Sequence, residues 1–107
     1  MPSVTQTGVA YVSKGITLAS IGDVYEIPAD SGRRFFAIED EASPGATGCS
    51  IAFGEAPATA DFMDILDGRE HTYFPAPTAK ITIKATVAAV TFVVYSDGLK
   101  GAAITAV

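Results

Sequence analysis

Apolar side chains recur along this chain in short runs of period two, and Gly, Pro, Asp or Ser interrupts nearly every run. The clearest run is Lys80-Ile81-Thr82-Ile83-Lys84-Ala85. Successive side chains of an extended strand point to opposite faces. Ile81, Ile83 and Ala85 are therefore expected on a core, with Lys80, Thr82 and Lys84 facing water. Val90 to Tyr95 follows as a largely apolar strand, and Ala88 and Ala89 sit near the connection. Asp97-Gly98 has the composition of a two-residue hairpin turn, with Ala102 to Val107 as the returning strand.

The same pattern extends toward the N-terminus. Gly8 to Ser13 and Ile16 to Ala19 are weak strand candidates. Asp23 to Ile27 alternates polar and apolar residues, with Val24 and Glu26 out of phase, and Pro28 to Gly32 reads as a turn. Arg33 to Glu39 is the next strand. Its adjacent Phe35 and Phe36 must point to opposite faces. That strand is expected to be central, or to have one face covered by a loop. Glu39 to Gly48 is a loop. Cys49 to Phe53 is a strand with Cys49, Ile51 and Phe53 on one face, and Gly54 to Ala60 is a further loop. Asp61 to Leu66 fits either a short helical turn or a twisted strand, closed by Asp67-Gly68. His71 to Phe74 is a short strand stopped by Pro75 and Pro77, which exclude a central position.

About eight short antiparallel strands at this spacing predict an all-β, single-domain β-sandwich or jelly-roll-like barrel. Residues 23–107 form the expected sandwich domain. Residues 1–22, poor in charge and rich in Thr and Ser, are expected as an N-terminal arm or edge strands. Strand order is not visible at this level, so a jelly roll and an immunoglobulin-like sandwich stay equally open.

Composition narrows the function classes. At 107 residues the chain has the size of one domain. Hydrophobic residues make up 49% and charged residues 18%, enough apolar material for a packed core. The net charge of −5 lacks the basic footprint of nucleic-acid binding, and it disfavours anionic membrane surfaces. No apolar stretch is long enough to span a bilayer. Met1 to Val4 lacks the features of a signal peptide, so no export signal is expected. The lone Cys49 excludes an internal disulfide and reads as a small buried hydrophobe.

Candidate chemistry is sparse. His71 is the only histidine, so a zinc site has no supporting spacing. It is expected to be an exposed or hydrogen-bonded strand residue. No Ser sits in a G-x-S-x-G elbow, and no Gly-rich phosphate loop is present. Asp61, Asp64, Asp67 and Glu70 recur at a spacing of three, which would form an acidic stripe on a helix. They do not follow the EF-hand pattern, and a solvated acidic loop is expected. Glu39-Asp40-Glu41 reads as a solubilising strand end that Arg33-Arg34 could offset. Sugar binding would need aromatic platforms, and without Trp the candidates are Tyr11, Tyr25, Tyr73 and Tyr95. No catalytic residue, metal site or cofactor is expected, and the chain is not expected to be an enzyme.

One series of segments carries a resemblance. Ile27-Pro28-Ala29 leads into Arg33-Arg34-Phe35-Phe36-Ala37-Ile38, then Ile51-Ala52-Phe53-Gly54, Ala56-Pro57-Ala58-Thr59 and Ile65-Leu66-Asp67-Gly68. With Ile81 to Ala85 this resembles a class of small tailed-bacteriophage virion proteins, over about Asp23 to Ser96. Two features depart from that pattern: Glu39-Asp40-Glu41 stands where an Asn-rich stretch is usual, and Leu66-Asp67-Gly68 is one residue short of the turn. The resemblance implies a structural virion protein, foremost a capsid decoration or cement protein that binds and stabilises the outer shell. A head fibre, collar or tail component is the alternative, and a non-viral carbohydrate- or protein-binding sandwich is the next. It further implies synthesis in the host cytoplasm and residence in the virion. The implied partner is the major capsid protein or another virion protein, and the implied state is a homo-oligomer, with a trimer matching capsid symmetry.

Overall fold

A computed structural model describes residues 11–40, 48–65 and 70–107. The chain is all-β. Among the described residues nine strands appear in the order β1 (Val12–Leu18), β2 (Val24–Ile27), β3 (Phe36–Asp40), β4 (Cys49–Phe53), β5 (Met63–Ile65), β6 (Glu70–Tyr73), β7 (Ile81–Ala85), β8 (Val90–Ser96) and β9 (Ala103–Thr105). A 3-10 turn, Thr59–Asp61, precedes β5. One sheet has the order β1-β8-β3-β6 and the other β5-β4-β7-β2-β9.

The pairing is nested. β4 pairs with β5, β3 with β6, β2 with β7 and β1 with β8, all antiparallel. This is one long hairpin folded over on itself. The roll closes where β8 also pairs with β3 and β7 also pairs with β4. Two four-stranded sheets joined in this way make a jelly roll, with β9 added to the free side of β2. The strand order thus decides what the sequence left open between a jelly roll and an immunoglobulin-like sandwich.

The core lies between the sheets. Ile16, Leu18, Phe36, Ile38, Val90, Phe92 and Val94 come from one sheet, and Tyr25, Ile27, Cys49, Ile51, Ile65, Ile81, Ile83 and Ala85 from the other. Each fully buried Ile or Phe contributes roughly 1.5–3 kcal/mol of transfer free energy. Burial of this kind holds the two layers together.

Several local expectations need correction. The two weak N-terminal candidates are one strand, Val12–Leu18, because β8 pairs with it residue by residue from Val12–Ser96 to Leu18–Val90. Gly8 to Ala10 lie outside the described residues. Of the segment from Asp61 to Leu66, Met63–Ile65 is a strand, while Asp61 ends the preceding 3-10 turn Thr59–Asp61 and Leu66 lies outside the described residues. Asp67-Gly68 and positions 41–47 of the expected loop lie outside the described residues. Asp40 belongs to β3. Thr82 takes the expected outward phase but is not solvated: in a central strand flanked by β4 and β2 it is only 6% exposed, and its Oγ1 has no hydrogen-bond partner among the described residues. Lys84 is half-buried, with its ammonium 5.5 Å from the centroid of the Phe62 ring.

The largest correction concerns Asp97-Gly98, which is not a hairpin turn. β9 pairs with β2 in the opposite sheet, Ile104 opposite Tyr25. The local turn chemistry is used otherwise. The Asp97 carboxylate accepts the backbone N–H groups of Arg34 (2.9 and 3.0 Å to its two oxygens) and Phe35 (3.0 Å). The Gly98 N–H donates to Ser96 Oγ at 3.0 Å. A Cβ on Gly98 would sit 2.9 Å from Asp30 Oδ2 and 3.0 Å from Arg33 Nε, so a larger residue there would have to displace these side chains.

Arg33 explains why β3 begins at Phe36 rather than at Arg33. Its side chain is buried at 4% exposure. Nε donates to Gly98 O (3.1 Å), Nη1 to Pro77 O (2.7 Å) and Ala79 O (3.2 Å), and Nη2 to Pro28 O (2.7 Å). Burial lowers its pKa from the ordinary arginine value, and Asp30 and Asp97 oppose that shift. A guanidinium stays protonated in proteins. Arg33 therefore fastens three connecting segments together at one end of the sandwich; of the Arg33-Arg34 pair expected to offset the acidic run, only Arg34 is left exposed, and Glu41 lies outside the described residues.

Candidate binding surface

The outer face of the β1-β8-β3-β6 sheet is built by strand phase. In β8, Val90, Phe92, Val94 and Ser96 are buried inward. Alternation then forces Thr91, Val93 and Tyr95 outward. In β3 the inward residues are Phe36 and Ile38, so Ala37 and Glu39 face out. The register aligns these positions into two rows across the sheet. One row runs Ser13, Tyr95, Ala37, Thr72, and the next runs Gly15, Val93, Glu39, Glu70.

An aromatic cluster covers one end of this face. Tyr11 stacks on Tyr95, with ring centroids 5.5 Å apart and planes at 26°. Phe35 meets both rings edge-on, at 5.6 Å from Tyr11 and 5.0 Å from Tyr95. Tyr11 and Tyr95 remain 46% and 39% exposed. Each such pair adds about 0.5–1.5 kcal/mol beyond area burial. The rings therefore brace one another while leaving apolar surface open to solvent.

Beside the rings lies a shallow hollow of about 250 Å³, lined by Ala37, Ile38, Glu39, Glu70, Val93 and Tyr95. Gly15 stands next to Val93 in the register, and a Cβ built there would meet nothing within 4 Å. The β1 side of the hollow is thus open. The β6 side is acidic, because Glu39 and Glu70 are direct cross-strand partners. Like charges in that position are destabilising. Thr72 Oγ1 donates to Glu70 Oε1 at 3.1 Å and fixes that carboxylate on the face. The ion pair among the described residues, Lys80 with Glu26, belongs to the other sheet.

The residues singled out from sequence do not converge on a reactive centre. His71 lies half-buried on β6, and its Nε2 is buried with no hydrogen-bond partner among the described residues. It is neither the exposed nor the hydrogen-bonded residue expected, because it occupies the inward phase of β6 opposite Ile38. Cys49 is buried in β4. The acidic stripe does not form: Asp61 ends the 3-10 turn, Asp64 is on β5 and Glu70 is on β6 in the other sheet. Asp67 lies outside the described residues. Asp61 Oδ2 accepts the Ala58 N–H at 2.8 Å, a local capping bond. Among the described residues no group of three His, Cys, Asp or Glu side chains could hold a metal ion. No helix there is long and apolar enough to cross a membrane.

Of the four tyrosines considered as platforms, two qualify. Tyr25 is buried in the core and its phenol pKa is raised by that burial. Tyr73 packs inward against Phe36 and Phe53, and burial raises its pKa as well. Tyr11 and Tyr95 are left on the surface, joined by Phe35. Sequence reasoning did not assemble this group. The signal was the Phe35-Phe36 pair, one ring of which had to face outward, but the partner that would meet it was hidden in the register. No family model, no curated protein and no solved structure matches this chain.

Proposed function

We propose that this chain is a non-catalytic binding module that attaches to a protein surface through the outer face of the β1-β8-β3-β6 sheet. The observation that carries the reading is the Tyr11–Phe35–Tyr95 cluster, braced internally yet with Tyr11 and Tyr95 exposed on the outer face of the sheet. We place the module in a bacteriophage virion, as a decoration or cement protein on the outer capsid shell, acting as a homo-oligomer such as a trimer. Its sequence resemblance to small virion proteins supports this placement. The jelly roll is compatible with it, since capsid domains use this fold, although a fold by itself does not specify function. Particles purified from its source should carry the chain in proportion to the major capsid protein. Tyr95→Ser should abolish rebinding to stripped shells without unfolding the chain. A copy number of about six or twelve would move the chain to the portal or tail, where symmetry sets those values. Absence from particles would end the virion placement.

The stacked, exposed Tyr11 and Tyr95 rings also favour a second reading, a carbohydrate-binding jelly roll of the lectin type. A reproducible glycan-array signal that Tyr95→Ser removes would put this reading first.

A further inference from the structure

The occupant of this face can be specified more closely, resting on the reading that the face is a docking surface. We infer that it receives a segment of a different protein that presents an arginine side chain to the hollow between Tyr95, Val93, Glu39 and Glu70. The hollow has two chemically distinct halves. Val93, Ala37 and the Tyr95 ring make an apolar floor, and Glu39 and Glu70 make an acidic wall. Two carboxylates placed directly across from each other repel in the isolated chain. A cation seated between them removes that repulsion. The charge and the apolar floor must be matched together, and an arginine side chain does both. Its methylene stem lies along apolar surface while its head stays polar. Its planar guanidinium bonds carboxylates in a fork and stacks on aromatic faces.

Other occupants match less of the site. Lysine brings a compact point charge that does not stack in this way. Phosphate backbones and anionic lipid headgroups carry the wrong sign for a wall of two glutamates. The hollow is open toward Gly15, so the incoming segment can cross β1 and continue over the Tyr11–Tyr95 rings.

The test uses the isotope-labelled full chain and N-acetyl-arginine amide, followed by amide chemical shifts. The lysine and citrulline analogues serve as controls, citrulline having nearly the arginine shape without its charge. Saturable shifts should be confined to Ala37, Glu39, Glu70, Thr72, Val93 and Tyr95. They should be weaker with lysine and absent with citrulline. They should weaken as salt is raised from about 0.05 to about 0.5 M. The double variant Glu39→Gln/Glu70→Gln should lose about tenfold or more in apparent affinity, since charge-assisted bonds become neutral ones. The unchanged Tyr11 and Tyr95 ring signals would show that the fold is intact. Shifts spread equally over Glu55, Asp61 and Asp64, or an undiminished response in the double variant, would overturn the inference. So would self-association that the double variant abolishes, because the arginine would then come from a second copy. If Tyr95→Ser abolishes shell binding while the double variant keeps it, the arginine assignment falls and the docking face stands. If neither variant affects shell binding, the docking face falls as well.

Discussion

The two outer faces of this sandwich are made by the same alternation, yet they end in opposite states. On the β5-β4-β7-β2-β9 sheet the charges at the centre of the face are paired, although the buried Thr82 Oγ1 has no hydrogen-bond partner among the described residues. Glu26 pairs with Lys80 and accepts from Thr105 Oγ1 at 3.2 Å. The Lys84 ammonium stands over the Phe62 ring. Ser50, Ala52 and Thr82 are buried even on this outward side. On the β1-β8-β3-β6 sheet two tyrosine rings stay exposed, a glycine leaves a gap, and two glutamates oppose one another. The first face pairs its central carboxylate with a lysine. The second leaves two tyrosine rings exposed and two glutamates with no ion-pair partner among the described residues, and that difference is why the docking surface is proposed there.

The comparison is sharpest at Phe35 and Phe36, adjacent residues on opposite sides of one sheet. Phe36 is fully buried in the core, so Phe36→Ala should cost roughly 3–5 kcal/mol through lost transfer energy plus a cavity. Ile83→Ala, in the centre of the other sheet, should cost roughly 2–5 kcal/mol for the same reason. Phe35→Ala removes edge contacts to two half-exposed rings and should cost only about 1 kcal/mol. Chemical denaturation of the three variants checks this. Equal losses for Phe35 and Phe36 would mean that the outer cluster is core and not a surface.

Arg33 is the next test, because the register of both faces depends on the end of the sandwich it fastens. Arg33→Met keeps the length of the stem but removes the donors to four carbonyls. A loss of roughly 3 kcal/mol is expected, the scale of breaking buried hydrogen bonds to a charged group. Lysine should not rescue it, since one ammonium cannot reproduce the planar fork. Full rescue by lysine would show that charge, and not geometry, holds the three segments.

Asp97 supplies a pH dependence. Burial acts to raise its pKa, but the N–H bonds from Phe35 and Arg34, with the Arg34 charge, outweigh it, and the carboxyl sits below the ordinary aspartate value. A depressed folded-state pKa gives stability that is present above the unfolded value, about 3.9, and is lost as pH falls through the folded value. The Glu26 pKa is lowered too, chiefly by its hydrogen bond from Lys80, and acts in the same direction. Melting temperature should therefore fall in acid below about pH 4. Asp97→Asn should cost roughly 1 kcal/mol at neutral pH and flatten that acid limb. An acid limb unchanged in Asp97→Asn would remove Asp97 from the account.

These residues also show what the sequence could and could not reveal. Period-two runs such as Ile81 to Ala85 fixed strand positions and most of the inward side chains, because alternation is local. The sheet partners were not legible. Asp97-Gly98 has hairpin chemistry, and only the three-dimensional position of the Arg34 and Phe35 N–H groups shows that the carboxylate is used as their acceptor. The same holds for the surface. Tyr11 precedes any strong pattern, and Glu39 and Glu70 lie far apart in sequence, so neither the ring cluster nor the acidic wall exists until β3 has been placed between β6 and β8. Of the Arg33-Arg34 pair expected to offset the acidic run, Arg33 is not available, because its guanidinium is taken inside by carbonyl hydrogen bonds, a placement that charge pattern alone does not reveal.

The smallest effect is the most specific. If Glu39 and Glu70 are held together for a partner, their proximity has a cost in the free chain. Neutralising one of them should then stabilise the fold by about 0.2–1 kcal/mol, the scale of a cross-strand pair. Glu39→Gln should raise the denaturation midpoint slightly at low salt, and the gain should shrink as ionic strength screens the repulsion. The same substitution should weaken attachment to the partner. Neutralising Glu26, whose charge is matched by Lys80 on the finished face, should lower stability instead. Opposite signs at Glu39 and Glu26 would separate a face built for association from one built only to stay folded, whereas a destabilising Glu39→Gln would mean that Glu39 already serves the fold itself.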